Sequence, residues 1–529
     1  QEVLDRMPRA MSSPSLSLDD GFPVKENNSN IQLVSNEDDL VIVPETKMTP
    51  VRWQVATVTV LCFVNLINYM DRFTIAGVLD DVQAYYNIGD DDAGLLQTVF
   101  ILSYMVFAPL FGYLGDRYNR KLIMALGVFL WSLTTLLGSF MTQYGLFVFF
   151  RTLVGIGEAS YSTIAPTIIS DMFKGDKRSK ILALFYFSIP VGSGLGYIIG
   201  SETAKAFEAW QWALRVTPGL GLLAVVLILL CSVDPPRGAA DGASLHPTSW
   251  KSDMRHLFTN TTFMLSTLGF TCVCFVAGAL AWWGPHFIKL GLKVQGKPES
   301  AENVSFIFGI VSMVSGLAGV PLGSLVASQW RKKFVKADPI VCALGLFISA
   351  PFLCLTIVLA KYNTPATYAV AFFAEFFLNL NWAIIADILL YVVIPTRRSS
   401  AEAFQILVSH AFGDAGSPYL IGQISEFLKN STTTAWVYDV PGNSTVDPAV
   451  LDNFTSLQYA VIVCVFVEIL GGILFLVSAA YLVEDKAKAT RMMQGGCSVD
   501  GLASSPETSN NQNSEDGSCL LNSNEPLPT

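Results

Sequence analysis

Stretches of about 20 apolar residues recur along this 529-residue chain, and they constrain its fold more than any other feature. Each is long enough to cross the roughly 30 Å hydrocarbon core of a bilayer as a helix. Because lipid cannot satisfy the edges of an open sheet, we expect an all-α membrane protein with about twelve transmembrane helices. The predicted spans lie near residues 54–78, 93–114, 121–142, 146–169, 180–201, 214–232, 262–287, 304–328, 338–360, 366–391, 401–424 and 456–483.

The composition narrows the possible functions. Hydrophobic residues make up 52% of the chain and charged residues only 14%, as expected for a protein that lies mostly in lipid. The net charge of −10 comes partly from the polar tails and an acidic loop, so it does not indicate a nucleic-acid partner. We find no constellation of nucleophiles or metal ligands, and we therefore expect neither enzymatic activity nor a cofactor.

A short charged block occurs twice, each time between two apolar spans. The copies occupy residues 112–121 and 323–332, with a glycine, a leucine and a basic pair at matching positions, offset by 323 − 112 = 211 residues. This repeat predicts two pseudo-symmetric six-helix halves, an architecture typical of alternating-access carriers. We expect the first copy to act as a latch that stabilises one transport state. The predicted latch residues are Gly112, Asp116, Arg117, Arg120 and Lys121.

The spans and polar stretches divide the chain into five parts. We predict a disordered cytosolic tail over 1–50, an N-terminal half over 51–233 and a cytosolic linker over 234–260. The C-terminal half then covers 261–484, and a second disordered cytosolic tail covers 485–529. Lysines and arginines concentrate in loops on one side, which places both termini in the cytosol. Four acceptor sequences on the opposite side predict a glycoprotein: Asn303, Asn430, Asn443 and Asn453.

Four charged residues lie inside two apolar spans. Asp71 and Arg72 belong to the first span, and Arg151 and Glu158 belong to the fourth. A charge at mid-span costs about 2.5–3.5 kcal/mol, so these residues should face a cavity or each other. We expect the two arginines to bind an anionic substrate and the two carboxylates to exchange protons. Structural ion pairs and polar helix packing are the alternatives.

Two further sets of residues are candidates. His410 and Asp414 lie in an unusually polar eleventh span, and histidine ionises in the range that separates an acidic lumen from the cytosol. We predict that both take part in proton coupling, and a histidine with purely structural hydrogen bonds is the alternative. Trp282 and Trp283 are predicted to wall a substrate cavity, although aromatic belts at the membrane interface explain such residues equally well.

Several long motifs resemble those of the spinster family within the major facilitator superfamily, and the charged block resembles the signature of that superfamily. The family motifs lie at residues 68–79, 151–166, 189–196, 394–398 and 413–420. The resemblance covers nearly all of residues 54–484. It implies the major facilitator fold and the transport of single-chain phospholipids.

The resemblance also implies roles for individual residues. In this family an Asp-Arg pair of the first span and an Arg and a Glu of the fourth are implicated in substrate binding and proton coupling. These correspond here to Asp71, Arg72, Arg151 and Glu158, and the histidine of the eleventh span corresponds to His410.

The family contains more than one kind of carrier. One branch is a lysosomal, proton-coupled carrier of lysophosphatidylcholine and lysophosphatidylethanolamine, and another exports sphingosine-1-phosphate. Residues 70–73 and 399–405 are more similar to the lysosomal branch and its insect-type relatives. We therefore expect proton-dependent export of lysophospholipids from the lysosome or late endosome to the cytosol by alternating access. Export of sphingosine-1-phosphate or another sphingolipid, a location in the plasma membrane, and a non-transporting endolysosomal sensor or scaffold are the alternatives.

The C-terminal tail contains a candidate sorting signal. Asp516, Leu520 and Leu521 have the acidic-dileucine spacing that adaptor complexes read when they sort proteins to endosomes and lysosomes. The expected partners are thus a lysophospholipid or sphingolipid substrate, protons, membrane lipids and clathrin-adaptor complexes.

Overall fold

The computed structural model of the chain describes residues 33–36, 39–42, 50–173, 175–236, 250–297, 303–394, 397–431 and 447–499. From Pro50 onward the described secondary structure is helical, and this part of the chain forms one compact unit. Ten of its helical segments are long and apolar enough to cross a membrane. Two more segments, which carry the polar residues of the predicted fourth and eleventh spans, complete the twelve.

Six long helices and one short one build the N-terminal half. They are α1 (Val51–Gly77), α2 (Leu79–Tyr86), α3 (Asp90–Arg117), α4 (Arg120–Gly138), α5 (Tyr144–Met172), α6 (Gly175–Ala206) and α7 (Ala213–Cys231).

The C-terminal half repeats this plan after the short helix α8 (Trp250–Thr259), but two of its spans are interrupted. Its helices are α9 (Thr261–Val294), α10 (Val304–Arg331), α11 (Ala337–Leu359), α12 (Thr364–Asn379), α13 (Asn381–Val392), α14 (Arg398–Ser409), α15 (Gly416–Ser431) and α16 (Pro448–Val499). The tenth span breaks at Leu380, between α12 and α13. The eleventh contains a π-helical turn over His410–Asp414, between α14 and α15.

The structure departs from the predicted tails in two places. Strand β1 (Leu33–Asn36) pairs antiparallel with β2 (Asp39–Ile42) inside the segment predicted to be disordered, because the apolar residues of this stretch favour a hairpin. Helix α16 continues to Val499, beyond the predicted boundary at 484. Its continuation is supported by a 2.9 Å ion pair between Lys488 and Glu484, one helical turn apart.

Glycines on α6 determine how closely it packs against α1, the helix that carries Asp71 and Arg72. A Cβ atom at Gly192, Gly196 or Gly200 would lie 2.5–2.7 Å from a backbone carbonyl oxygen of α1. The spacing of four residues places all three glycines on one face of α6. Only this stripe of small residues allows the two backbones to meet.

The two halves meet along α6 with α10 and along α3 with α15. Gly194 and Gly309 form the first crossing, where a Cβ on either residue would lie 2.5–2.6 Å from the carbonyl oxygen of the other. Gly422 has the same role at the second crossing, against the backbone of Asp90. The seam between the halves is therefore tightly packed where these glycines lie.

Candidate substrate and proton site

A buried ion pair lies at the centre of the N-terminal half. Nη2 of Arg72 on α1 lies 3.2 Å from Oε2 of Glu158 on α5, and the Glu158 side chain is fully buried. The rings of Tyr69, Phe100 and Tyr104 surround the guanidinium group at 5.0–5.5 Å. The predicted cation and carboxylate of two different spans are thus brought together in an aromatic enclosure.

Arg151 is the second cation of this cluster. It lies two turns before Glu158 on α5, and its Nη2 donates to the carbonyl oxygen of Arg72 at 3.3 Å. Its guanidinium lies 4.3 Å from the centroid of the Phe100 ring, which therefore contacts both cations. Close packing of α5 on α3 is possible because Gly155 faces the carbonyl oxygen of Phe100, 2.2 Å from where a Cβ would lie.

Asp71 does not pair with Arg72. Neighbouring residues on a helix point about 100° apart, and the Asp71 carboxylate faces α4 and α7 instead. It accepts hydrogen bonds from the hydroxyls of Thr135, at 3.2 Å, and Thr217. The partner of Arg72 is therefore Glu158, and the expectation of an Asp71–Arg72 pair is wrong for this conformation.

The cluster retains polar atoms without partners. Nε of Arg72, Nε of Arg151 and Oε1 of Glu158 are buried and make no hydrogen bond within the described part of the chain. Buried polar groups are normally paired, and an unpaired one is costly. Two unpaired guanidinium donors in one cluster are suited to an anion with several acceptor oxygens, such as a phosphate.

The eleventh span contributes charges from the other half. Nδ1 of His410 lies 2.9 Å from both carboxylate oxygens of Asp414, across the π-helical turn. Asp414 interacts electrostatically with Arg72, and the Thr98 hydroxyl of α3 donates to the carbonyl oxygen of Ala415 at 2.5 Å. The structure thus brings the His410–Asp414 pair to the seam, facing the arginine cluster.

The two tryptophans are fully buried. Nε1 of Trp282 donates to the carbonyl oxygen of Ala93 in the other half at 3.1 Å, and Nε1 of Trp283 donates to that of Pro418 at 3.0 Å. Both therefore hold helices together, and Trp283 also lines a pocket inside the C-terminal half.

This pocket contains a carboxylate. Glu375 on α12 lines it and accepts hydrogen bonds from Ser312 at 3.1 Å and Ser315 at 2.9 Å, both on α10. The remaining lining is apolar or aromatic except for Thr356. Glu375 is thus a hydrogen-bonded acidic group at the edge of a mostly apolar cavity.

The charged block has a counterpart in each half. Nη1 of Arg120 lies 2.5 Å from Oδ2 of Asp171 at the end of α5. At the related position of the second copy, Arg331 pairs with Asp338 at 3.0 Å and with Asp387 at 2.8 Å. All three pairs join helices of the same half.

Arg117 and Lys121, two further predicted latch residues, form no ion pair with the side chains that the structure describes. The Arg117 guanidinium stacks over the ring of Tyr113 at 4.4 Å, and Lys121 is half-buried. A Cβ at Gly112 would meet open space, so the close approach expected there is not made. The backbone of Asp116 lies in the last turn of α3.

Ion pairs between the halves, which sequence reasoning missed, close one end of the seam. We define the closed end as the region where α2 and the N-terminus of α3 meet the C-terminal ends of α9 and α15. There Asp80 lies 2.8 Å from Lys289 and 2.7 Å from His286, and Asp90 lies 2.7 Å from Lys429. The charge distribution predicts that this end is the non-cytosolic one.

These partners stabilise the ionised form of Asp80. Burial alone favours the neutral acid, but Lys289 and His286 outweigh it and hold the pKa of the Asp80 carboxyl well below its usual range. Asp80 belongs to the acidic loop after the first span. Its partners lie some 200 residues away, so no local pattern could reveal the pairs.

The predicted modification and sorting residues lie near or beyond the edges of the described chain. Asn303, at the start of α10, and Asn453, in α16, are exposed. The Asn303 side chain accepts a hydrogen bond from Lys205 at 3.0 Å. Asn430 lies in the last turn of α15. Asn443, Asp516, Leu520 and Leu521 lie outside the described residues.

Known proteins share this architecture. The chain is similar to the bacterial homologue of the human lysosomal transporter spinster, crystallised inward-facing and unoccupied, with a TM-score of 0.70 at 18% identity over 83% of this chain and 99% of that one. It is also similar to the nucleoside transporter NupG, with a TM-score of 0.57 at 14% identity over 80% of this chain and 98% of that one. At these identities the likeness concerns the fold.

The sequence comparisons give the family. The model of the Major Facilitator Superfamily matches residues 61–416. Protein spinster of Drosophila melanogaster is 56% identical over 490 residues, covering 86% of this chain and 81% of its own. Protein spinster homolog 1 of Homo sapiens is 51% identical over 451 residues, covering 83% of each chain. The chain therefore belongs to the spinster family of the major facilitator superfamily of multi-pass membrane transporters.

Proposed function

We propose that this transporter exports lysophospholipids, such as lysophosphatidylcholine and lysophosphatidylethanolamine, from the lysosome or late endosome to the cytosol in a proton-dependent way. The observation that carries the proposal is the buried cluster of Arg72, Arg151 and Glu158, with its unpaired donors. A transporter of neutral solutes has no need for two buried guanidinium groups, whose desolvation is costly.

The arginines bind the phosphate in this mechanism. Arg72 and Arg151 both contact the Phe100 ring, and Nη2 of Arg151 bonds the carbonyl oxygen of Arg72, so the two cations belong to one cluster. Each group has a free Nε donor, so one phosphate can accept hydrogen bonds from both. The substrate phosphate thereby gains charge-assisted hydrogen bonds, which replace the hydrogen bonds that it makes with water.

Glu158 competes with the phosphate for Arg72. In the ionised state it holds the guanidinium at 3.2 Å and opposes capture of a second anion. A proton taken up from the acidic compartment neutralises the carboxylate and frees Arg72 for the substrate. Loss of the proton on the cytosolic side restores the pair and expels the phosphate, so that proton and lipid move together.

The C-terminal half provides the complementary charge. The headgroups of both proposed substrates carry an ammonium group besides the phosphate, and Glu375 offers a carboxylate in an otherwise mostly apolar pocket. Asp414, beside His410 at the seam, is a second anion near the arginines. Cations in one half and anions in the other favour a zwitterionic headgroup bound between them.

Location and orientation form part of the proposal. The Drosophila relative carries the name spinster, and the bacterial structure is described as a homologue of a human lysosomal transporter. These names, the dileucine spacing of the tail and the positive-inside distribution support a lysosomal protein with cytosolic termini. Clathrin-adaptor complexes would read the tail signal, and the carrier itself performs no chemical step on its substrate.

Flux through proteoliposomes containing the purified protein tests the substrate assignment. Labelled lysophosphatidylcholine and sphingosine-1-phosphate are offered separately, each at neutral and at acidic external pH. We expect flux of the lysophospholipid that rises with the inward proton gradient, and little flux of sphingosine-1-phosphate. Equal or faster flux of sphingosine-1-phosphate would overturn the assignment, and absence of either flux would favour a sensor or scaffold.

A further inference from the structure

A second buried carboxylate lies in the C-terminal half and takes no part in the mechanism above. The side chain of Glu468 on α16 is fully buried. Its Oε1 lies 2.9 Å from Oγ of Ser349 on α11, and its Oε2 has no hydrogen-bond partner among the described residues. An ionisable residue buried inside a membrane bundle needs an explanation, because lipid and apolar side chains do not stabilise its charge.

The number of hydrogens available around Ser349 indicates the protonation state of Glu468. Its Oγ also lies 2.8 Å from the carbonyl oxygen of Ala374, and a carbonyl oxygen can only accept. The serine hydroxyl has one hydrogen, and it donates that hydrogen to the carbonyl oxygen of Ala374. The remaining contact, with Glu468, then requires a hydrogen on the carboxyl group. A neutral carboxylic acid satisfies both contacts, whereas a carboxylate leaves one of them without a hydrogen.

The surroundings of Glu468 contain no compensating cation within the described residues. The titratable groups near it are the thiol of Cys464 on its own helix, the thiol of Cys272 on α9 opposite Gly471, and Glu375, next to Ala374 on α12. None of these side chains is basic. An ionised Glu468 would therefore be a buried charge without a partner, which is strongly destabilising.

We propose that Glu468 is a proton-binding site of the C-terminal half. The bound proton completes a chain in which the carboxylic acid donates to Ser349 and Ser349 donates to the Ala374 carbonyl. The pocket that contains Glu375 lies near this site, since Leu353, Ala374 and Val461 line it on the three helices that carry the chain. Val461 lies two turns from Glu468 on α16, and Leu353 lies one turn from Ser349 on α11.

Infrared difference spectroscopy on the full-length protein in lipid nanodiscs tests directly whether Glu468 carries a proton. We expect a carbonyl-stretch band of a protonated carboxylic acid at neutral pH that is lost in Glu468→Gln. The matched control, Glu375→Gln, should leave this band in place, because Glu375 does not contact Ser349. Loss of a carboxylate band in Glu468→Gln, instead of the acid band, would show that Glu468 is ionised and overturn the proposal.

A second variant decides the question should Glu468→Gln not fold. In Ser349→Ala the acid loses its acceptor, so its carbonyl-stretch band should move to higher frequency. A band that stays where it is in Ser349→Ala would contradict the hydrogen-bond chain.

The part of this site in proton coupling rests on the proposed transport function and has its own test. Glutamine can still donate to Ser349, so a purely structural Glu468 predicts normal gradient-driven flux in Glu468→Gln. We expect this variant to exchange lysophosphatidylcholine without a gradient but to lose its stimulation by a proton gradient. Retained stimulation overturns the coupling role and leaves the transport function standing. If the wild type shows no flux, the proposed transport function is overturned, but the infrared result still stands.

Discussion

Single residues in this protein act through the direction in which their side chains point. Asp71 and Arg72 are neighbours on α1, yet the first faces threonines of α4 and α7 and the second faces Glu158 of α5. One cluster therefore separates into the proposed anion-binding part around Arg72 and a hydrogen-bonded carboxylate at Asp71. Substitutions around Arg72 should change substrate binding, and substitutions around Asp71 should change the stability of the protein.

Arg72→Lys tests the anion-binding part. Lysine keeps the charge but loses the planar group that bonds a phosphate through two donors. We expect KM for lysophosphatidylcholine to rise about tenfold, a loss of about 1.4 kcal/mol, with kcat little changed, and Arg72→Ala to abolish flux. The control is Arg215→Lys, whose guanidinium stacks on Phe140 and Trp212 outside the cluster. Equal KM values for Arg72→Lys and the wild type would contradict phosphate binding at Arg72.

Thr217→Val tests the carboxylate part. Removing this hydroxyl deprives buried Asp71 of one of its two side-chain hydrogen bonds. A hydrogen bond to a charged group contributes roughly 1.5–3 kcal/mol, so the thermal unfolding temperature in detergent should fall clearly. Thr134→Val is the matched control, since its hydroxyl bonds only carbonyls of its own helix. Equal losses in both variants would show that Asp71 does not depend on Thr217.

Whole elements determine which end of the protein is closed. Ion pairs join α2 and α3 of one half to α9 and α15 of the other, and Trp282 seals the same region. The corresponding pairs of the charged blocks, around Arg120 and Arg331, remain within their own halves. The conformation is therefore held by contacts at the closed end, and weakening them should favour the alternative state.

Asp80→Asn tests the closed end. It removes the charge that Lys289 and His286 share, at an expected cost of about 2 kcal/mol, or a roughly 30-fold shift between states. The rate at which a polar thiol reagent labels the Ala93→Cys variant should rise accordingly, because Ala93 is buried in the closed end and we expect opening to expose it. Asp81→Asn, at an exposed neighbouring position, is the control. Equal labelling rates in the two variants would contradict a locking role for Asp80.

The closed end should also resist acid. The pKa of Asp80 is lowered in the closed state, so its ion pair with Lys289 is fully present above the ordinary carboxyl pKa of about 3.9. This pair is lost only as the pH falls through the lower, closed-state pKa. Labelling at position 93 should therefore not accelerate between about pH 7 and pH 5. Faster labelling at pH 5 would show that acid opens this end.

The positions of the helices could be predicted from the sequence better than the pairs that their charged residues form. Apolar length alone located the spans, and the seven-residue spacing of Arg151 and Glu158 correctly placed both on one helix face. The partner of Arg72 could not be derived, since Glu158 lies 86 residues away on another helix. The same holds for Asp80 and Lys289, which meet only once the halves have packed. The hydrogen bond of Trp282 could not be predicted either, because it reaches the Ala93 carbonyl across the seam.

On the scale of the whole molecule, two similar halves carry different chemistry. The N-terminal half concentrates cations around Phe100, whereas the C-terminal half offers Glu375, Asp414 and the proposed proton site at Glu468. A headgroup with both charges fits between such halves, and protons can bind on either side of it. In the proposed mechanism, coupling arises because each half changes its charge when the closed end opens.

Uphill accumulation of lysophosphatidylcholine in proteoliposomes tests the central claim most directly, because only a coupled carrier concentrates its substrate. We predict that an imposed proton gradient drives accumulation by the wild type above the equilibrium level and that a protonophore abolishes it. The Glu158→Gln variant should equilibrate the lipid at most, and Arg72→Ala should not transport it. Accumulation that persists in Glu158→Gln, or flux that survives in Arg72→Ala, would contradict this account.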